Sequence, residues 1–129
     1  MEWFDAAILL IDVFVAPAIL LGFGWRFMKK PPQDINGSYG YRTSMSMKNQ
    51  DTWQFAHHYC GKLWYWLGLI MLPLSVVPML LVFDREIGTV GRVGAVICFA
   101  QAVPMVGAII PTEMALKRTF DKSGRRKTA

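Results

Sequence analysis

Three apolar runs organise the chain, from about Ala6 to Phe27, from Leu63 to Phe83 and from Val90 to Ile110. Each approaches the roughly 20 residues that a helix needs to cross the hydrocarbon of a bilayer. Asp12 interrupts the first run and Gln101 the third, whereas the second has Ser75 as its one strongly polar residue between its ends. Buried helices of a soluble bundle carry a polar face at helical spacing, and the second run has none. The pattern therefore predicts an all-α membrane protein with three transmembrane helices in a single module over residues 1–129. Residues 28–62 form a loop with a helix of its own, and residues 111–129 a basic tail. The start, MEWFD, carries Glu2 and Asp5 but no Lys or Arg. A secretory signal opens on a basic segment, so the first run is expected to stay as a helix.

The loop after the first run is too long for a bare connection. Pro31 and Pro32 should stop the first helix, because proline cannot donate to the helix and its predecessor avoids α geometry. Asn36-Gly37 and Gly40 read as turns. From Ser46 the pattern turns helical, with Ser46 as the expected cap and Asp51 early in the helix, where negative charge suits the macrodipole. Trp53, His57, Cys60 and Trp64 follow at spacings of four, three and four and share one face. An amphipathic cytoplasmic helix resting on the membrane surface is expected there, running on into the second span, with a bend at Gly61 allowed. In the tail, Met114, Leu116 and Phe120 are expected to lie on the bilayer surface.

Composition agrees with the membrane reading, with 53% hydrophobic and only 18% charged residues. A net charge of +5 on so apolar a chain would suggest nucleic acid if the cations were scattered. They are not. All but Arg85 and Arg92 of the 14 Lys and Arg flank the side shared by the first loop and the tail. The positive-inside rule then places the N-terminus outside and the C-terminus in the cytoplasm. Aromatic belts fit this placement, with Trp3 and Phe4 at the outer edge of the first span and Trp25 and Phe27 at its inner edge. Trp64, Tyr65 and Trp66 mark the inner end of the second span, and Phe83 its outer end. No stacking platform or recognition helix accompanies the charge, so nucleic acid is excluded as a partner.

The candidate chemistry is sparse. An ionisable group at bilayer depth costs about 2.5–3.5 kcal/mol on insertion scales. Asp12 lies roughly 12 Å into the first span at 1.5 Å per residue, on one face with Glu2, Asp5, Ala16 and Ile19. It reads either as an acidic track for a cation or proton, or as a carboxyl hydrogen-bonded to another helix, with Ser75 as its partner. Gly91, Ala95, Cys98 and Ala102 form a small-residue stripe on the third span. Such stripes let helices approach closely, within the three-helix unit or at a homo-oligomer seam, and Gln101 beside it can hydrogen-bond across. Pro17, Pro73, Pro78 and Pro104 each free a carbonyl one turn earlier, at Val13, Leu69, Leu74 and Ala100. Arg42, Trp53, His57 and Glu113 suggest a polar contact, with Arg42 pairing Glu113 or Asp51 to clamp the loop beneath the bundle. His57 and Cys60 share a helix face, but no second paired motif exists, so no metal and no cofactor is expected. No phosphate loop, nucleophile elbow or working pair of carboxylates is present, and the chain is expected not to be an enzyme.

The stretch GYRTSMSMKNQDTW, from Gly40 to Trp53, resembles the loop signature of the SdpI-type membrane proteins of bacteria. The resemblance continues through Ala56 and Gly61-Lys62 and returns as Pro111, Thr112-Glu113, Leu116, Phe120-Asp121 and Gly124-Arg125. It implies a short, single-module member of that family in the bacterial inner membrane. The family's best-known member gives immunity to a secreted sporulation-delaying peptide toxin and, once loaded, holds a repressor at the membrane. The resemblance thus implies a peptide toxin and a cytoplasmic regulator as partners. A small transporter or channel subunit, or an accessory subunit of a larger membrane complex, are the alternatives that the residues leave open.

Overall fold

A computed structural model describes residues 2–37 and 40–127, with the side chains of Glu2 and Trp3 outside that description. The Glu2 end of the acidic track and the belt at Trp3 therefore lie outside the described side chains. Four helices follow in order: α1 Glu2–Lys29, α2 Gln50–Val82, α3 Ile87–Gly107 and α4 Ile109–Thr119. α1 ends two residues before Pro31-Pro32, with Arg26 and Lys29 in its last turn, where cations suit the C-terminal end of the dipole. α2 starts one turn later than the Ser46 cap predicted, at Asn49. The Asn49 side chain accepts from Thr52 N–H at 2.9 Å while Thr52 Oγ1 accepts from Asn49 N–H at 3.0 Å. That reciprocal box satisfies two donors that a helix start leaves open. Four residues join α2 to α3, a connection that makes them antiparallel neighbours.

α3 and α4 follow one course, broken only at Ala108. Pro111 sits in the first turn of α4, where a missing N–H costs least. Together they give three helical segments long and apolar enough to cross a membrane: Phe4–Lys29, Gln50–Val82 and Ile87–Thr119. Outward-facing side chains agree, with Leu81 72% and Phe99 77% exposed. Bare aliphatic and aromatic surface of that extent requires lipid or a partner. α2 would be about 50 Å long at 1.5 Å per residue, longer than a ~30 Å hydrocarbon core. Its first turns, bearing Asp51, His57, His58 and Lys62, extend beyond the apolar run that begins at Leu63.

α1 packs most extensively on α2 and also against α3. The α1–α2 crossing is a backbone contact: a Cβ on Gly24 would lie 2.6 Å from the Tyr65 nitrogen, and one on Gly61 2.7 Å from the Gly24 oxygen. Two cores result. One, of Ala6, Val13, Met79 and Val90, lies near the α2–α3 turn. The other, of Tyr41, Ala56, Cys60, Leu116 and Phe120, lies beneath the long loop. Leu116 and Phe120 are thus interior residues and do not lie on the bilayer surface; of the predicted trio only Met114 is exposed. Two belt aromatics also turn inward. Phe27 is buried, and Trp64 is half-buried, donating its indole N–H to Met105 O at 3.2 Å, while Trp25 and Trp66 remain exposed.

Candidate functional site: the loop–helix junction

The loop is held by a chain of local hydrogen bonds. Thr43 N–H donates to Ser46 Oγ at 2.8 Å and Ser46 N–H to Thr43 Oγ1 at 3.2 Å, closing a turn. The buried Ser46 hydroxyl donates back to Tyr41 O at 3.0 Å. Beyond the turn, Trp53 is fully buried and donates its indole N–H to Pro32 O at 2.7 Å, which ties the loop's start to α2. His57, also fully buried, sits between rings, 4.3 Å from Trp53 and edge-on to Phe27 at 5.0 Å between centroids. Tyr41 N–H donates to His57 Nε2 at 2.8 Å, so Nε2 is the acceptor. Nδ1 must then carry the proton, donating to Trp53 O at 2.7 Å. His57 is a neutral ring with both nitrogens used, a strut and not a free ligand.

Gly40 is what allows this approach. Its φ is +111°, and a Cβ there would lie 2.4 Å from His57 Nε2. Tyr41, the next residue, carries the contact onward. Its hydroxyl donates to Glu113 Oε1 at 2.7 Å, joining the loop to α4. Burial, and then the Glu113 carboxylate, push the phenol well above its usual range, so it remains a donor. Arg42 does not make the predicted clamp. It is exposed and donates to Gly37 O, while Glu113 takes Tyr41 and Asp51 takes Arg126. A buried phenol reaches a half-buried carboxylate without the desolvation cost that a guanidinium would incur.

Beneath this loop lies a cavity of about 420 Å³. Ile19, Phe23 and Phe27 of α1 form one wall, and Met105, Val106 and Ile109 another. Trp64 and Cys60 come from α2, and Gly40 to Thr43 form the polar lip, where Arg42 is the cation. The four signature residues therefore border an otherwise apolar space.

The tail closes the junction from the other side. Phe120 pairs with Arg126 in an isolated antiparallel bridge around a tight turn. Asp121 Oδ1 accepts from Ser123 N–H, Ser123 Oγ and Arg125 N–H at 2.9, 2.6 and 3.0 Å. These bonds, the Ser123 hydroxyl first, hold the Asp121 carboxyl below the usual carboxylate range. Gly124 has φ +88° and gives its carbonyl to the Asn49 amide at 2.7 Å. Arg126 forms a two-pronged pair with Asp51 at 2.9 Å and lies 5.0 Å over the Phe120 ring. The start of α2 is thus gripped by loop and tail together.

The apolar half holds a second, closed polar group. Gln101 donates to Ser75 Oγ at 2.7 Å and to Val13 O at 2.9 Å, all three buried. Val13 O is the carbonyl that Pro17 frees, so the amide fills the gap left by the proline. Ser75 is therefore not the partner of Asp12. The buried side of α1 runs through Ala6, Val13, Leu20 and Gly24, whereas Asp5, Asp12 and Ile19 are exposed on its flank. The small-residue stripe also faces away: Ala95, Cys98 and Ala102 are exposed and Gly91 half-buried. Packing inside the unit falls to Val90, Gly94, Ile97 and Gln101, a parallel stripe rotated around α3.

Among the described residues, no three His, Cys, Asp or Glu gather where a metal would bind. Of the expected site residues, the structure brings Trp53, His57 and Glu113 to one junction through Tyr41, and pairs Ser75 with Gln101. It leaves Arg42 at the lip and Asp12 apart. Sequence reading passed over Tyr41, Thr52, Thr112 and Arg126. Tyr41 stood inside the Gly-Tyr-Arg-Thr signature, next to the cation that drew attention. Thr112, fully buried, bonds Ala108 O at 2.7 Å and was marked beforehand only by the family resemblance.

Comparison with known proteins bears on this region. The sequence model of the SdpI/YfhL protein family matches residues 33–112, which span the loop, α2, α3 and the first turn of α4. A stretch of 47 residues is 38% identical to the uncharacterized protein YfhL of Bacillus subtilis (strain 168). That match takes in 36% of this chain and 43% of the relative's length. No solved structure matches. The chain belongs to the SdpI/YfhL family and is a multi-pass membrane protein.

Proposed function

We propose that this SdpI/YfhL-family protein is a non-enzymatic immunity or signalling protein of the bacterial inner membrane that binds an apolar peptide. The observation that carries this reading is the 420 Å³ cavity, apolar on α1, α2 and α3 and bordered by the signature residues Gly40 to Thr43. An apolar peptide segment that inserts through the bilayer to its cytoplasmic half would cover Phe23, Trp64 and Val106, and a carboxylate on it would meet Arg42. The lip is coupled to both cytoplasmic elements, since Tyr41 bonds His57 of α2 and Glu113 of α4. Occupancy that displaced Tyr41 would alter the docked tail, which is the surface a regulator would read. The N-terminus lies outside in this reading, because the cations flank the loop and tail side.

The test is protection of bacteria that lack their own immunity protein against the secreted sporulation-delaying peptide. Wild-type chain should protect, and Arg42→Ala should lose protection while still inserting. A photo-crosslinker at Val106 should capture the peptide. An inserted chain that neither protects nor crosslinks refutes the reading.

One observation favours a second reading, a homo-oligomer or a subunit of a transporter. Asp12 and the stripe of Ala95, Cys98 and Ala102 lie on the outer surface of the unit, and a carboxyl facing lipid is costly. A second copy covering that flank would relieve it. Crosslinking at Cys98 in the bilayer and dependence of function on the proton gradient would favour this reading. Monomeric products and retained function in Asp12→Asn would remove it.

A further inference from the structure

The surface between α4 and the tail turn holds a cavity separate from the one beneath the loop. It measures about 510 Å³ and is lined by Met45 and Phe120, with Lys117, Lys122, Lys127 and Asp121 around it. The lysines come from two elements, and the fold sets their spacing. Lys117 is in the last turn of α4, Lys122 is in the tail turn, and Lys127 follows the Phe120–Arg126 bridge. Lys127 N–H donates to Thr119 O at 2.9 Å and its ammonium to Lys117 O at 2.6 Å, which holds that charge against the helix end. The acid lining it, Asp121, has its Oδ1 filled by three donors from its own turn.

The exposed side of α4 indicates where this cavity meets the membrane. Ile110 and Met114 are 65% and 56% exposed, and Lys117 follows at helical spacing on the same side. Lipid-facing surface thus changes to cationic surface within about one turn, or roughly 5 Å. Such a change marks the plane of the phosphates. We propose that this cavity holds the headgroup of an anionic phospholipid, its phosphodiester between the lysines and its glycerol backbone on Met45. The inference rests on the membrane reading alone and not on peptide binding.

The full chain, in nanodiscs of equal phosphatidylglycerol and phosphatidylcholine, can be released into a native mass spectrometer and its retained lipids counted. Phosphatidylglycerol should be retained preferentially. Lys117→Gln with Lys122→Gln should reduce its retention about five-fold for each lysine removed. Lys29→Gln with Lys30→Gln, an equal change of charge at the end of α1, should leave retention unchanged. Equal retention of the two lipids by the wild type would overturn the proposal, as would equal losses from the two variant pairs. Binding of an acidic peptide to the same lysines in lipid-free detergent, undiminished by added phosphatidylglycerol, would also overturn it and mark a protein-docking surface.

Discussion

Gly40→Ala puts the loop junction to its sharpest test. Two costs add at this position. Backbone at φ +111° is open to glycine but strained for alanine, by about 1–3 kcal/mol for sparsely populated conformations. The new methyl would also lie 2.4 Å from His57 Nε2, so the Tyr41 N–H to Nε2 bond must open. Leaving a buried donor and acceptor without partners costs about 1–3 kcal/mol. The ring is held against swinging clear, because Trp53 O holds Nδ1 and the Phe27 and Trp53 rings pack against it. The total, about 2–6 kcal/mol, is a large share of a typical domain's stability. The expected result is a loop that detaches while the spans remain inserted. Limited proteolysis of the micellar protein should cut near Pro32–Thr43, and the His57 ring nitrogens should lose their single-tautomer NMR signature. Unchanged protease resistance together with an unchanged tautomer would refute the account of Gly40.

Three further outcomes test other parts of the fold. Gln101→Leu leaves Val13 O and Ser75 without their donor; interhelical bonds in membranes average about 0.6 and reach about 1.7 kcal/mol each, so denaturant titration in mixed micelles should show a loss of about 1–3 kcal/mol. Gly24→Leu should push α1 from α2 at a cost of about 1–3 kcal/mol or more, whereas Gly22→Leu, where a Cβ meets nothing within 4 Å, should be neutral in the same titration. The tail turn should depend on acid: the Asp121 carboxyl is held below its ordinary 3.8 in the folded turn, so its contribution is present above that pH and is lost as pH falls through the folded value. Amide protection at Ser123 and Arg125, taken relative to the intrinsic exchange rate at each pH, should fall on acidification in the wild type and be pH-insensitive in Asp121→Asn.

Much of this protein was legible in one dimension. Lipid imposes a length and a composition on each crossing segment, and neither needs tertiary knowledge, so three spans and their separation followed from the hydropathy pattern. Prolines ended α1 where they stood, and the Gly40–Trp53 motif pointed to the region where loop, α2 and α4 meet. The rotation of each helix about its axis was not legible. In water an apolar stripe must face the core, but in lipid an apolar surface is content facing either way, so the pattern carries no sign. That is why spacing left Ala95, Cys98 and Ala102 open to packing inside the unit or at a homo-oligomer seam, though they lie outside it, and why Ser75 could be offered as a partner for Asp12, though it bonds Gln101. Rotation was decided by a few contacts that exist only between elements: backbone meeting backbone at Gly24 and Gly61, and Gln101 reaching a carbonyl that Pro17 had freed 88 residues earlier in the chain. The same holds for the polar partners. A long, flexible arginine such as Arg42 is compatible with any nearby acid, and sequence cannot rank Asp51 against Glu113. The docked tail brought Arg126 to Asp51, and the positive φ of Gly40 turned Tyr41 toward both His57 and Glu113. Sequence by itself determined the segments that enter the membrane, because solvent and length decide that locally. Tertiary structure alone decided which faces meet, because close approach and the pairing of buried donors are properties of two elements at once.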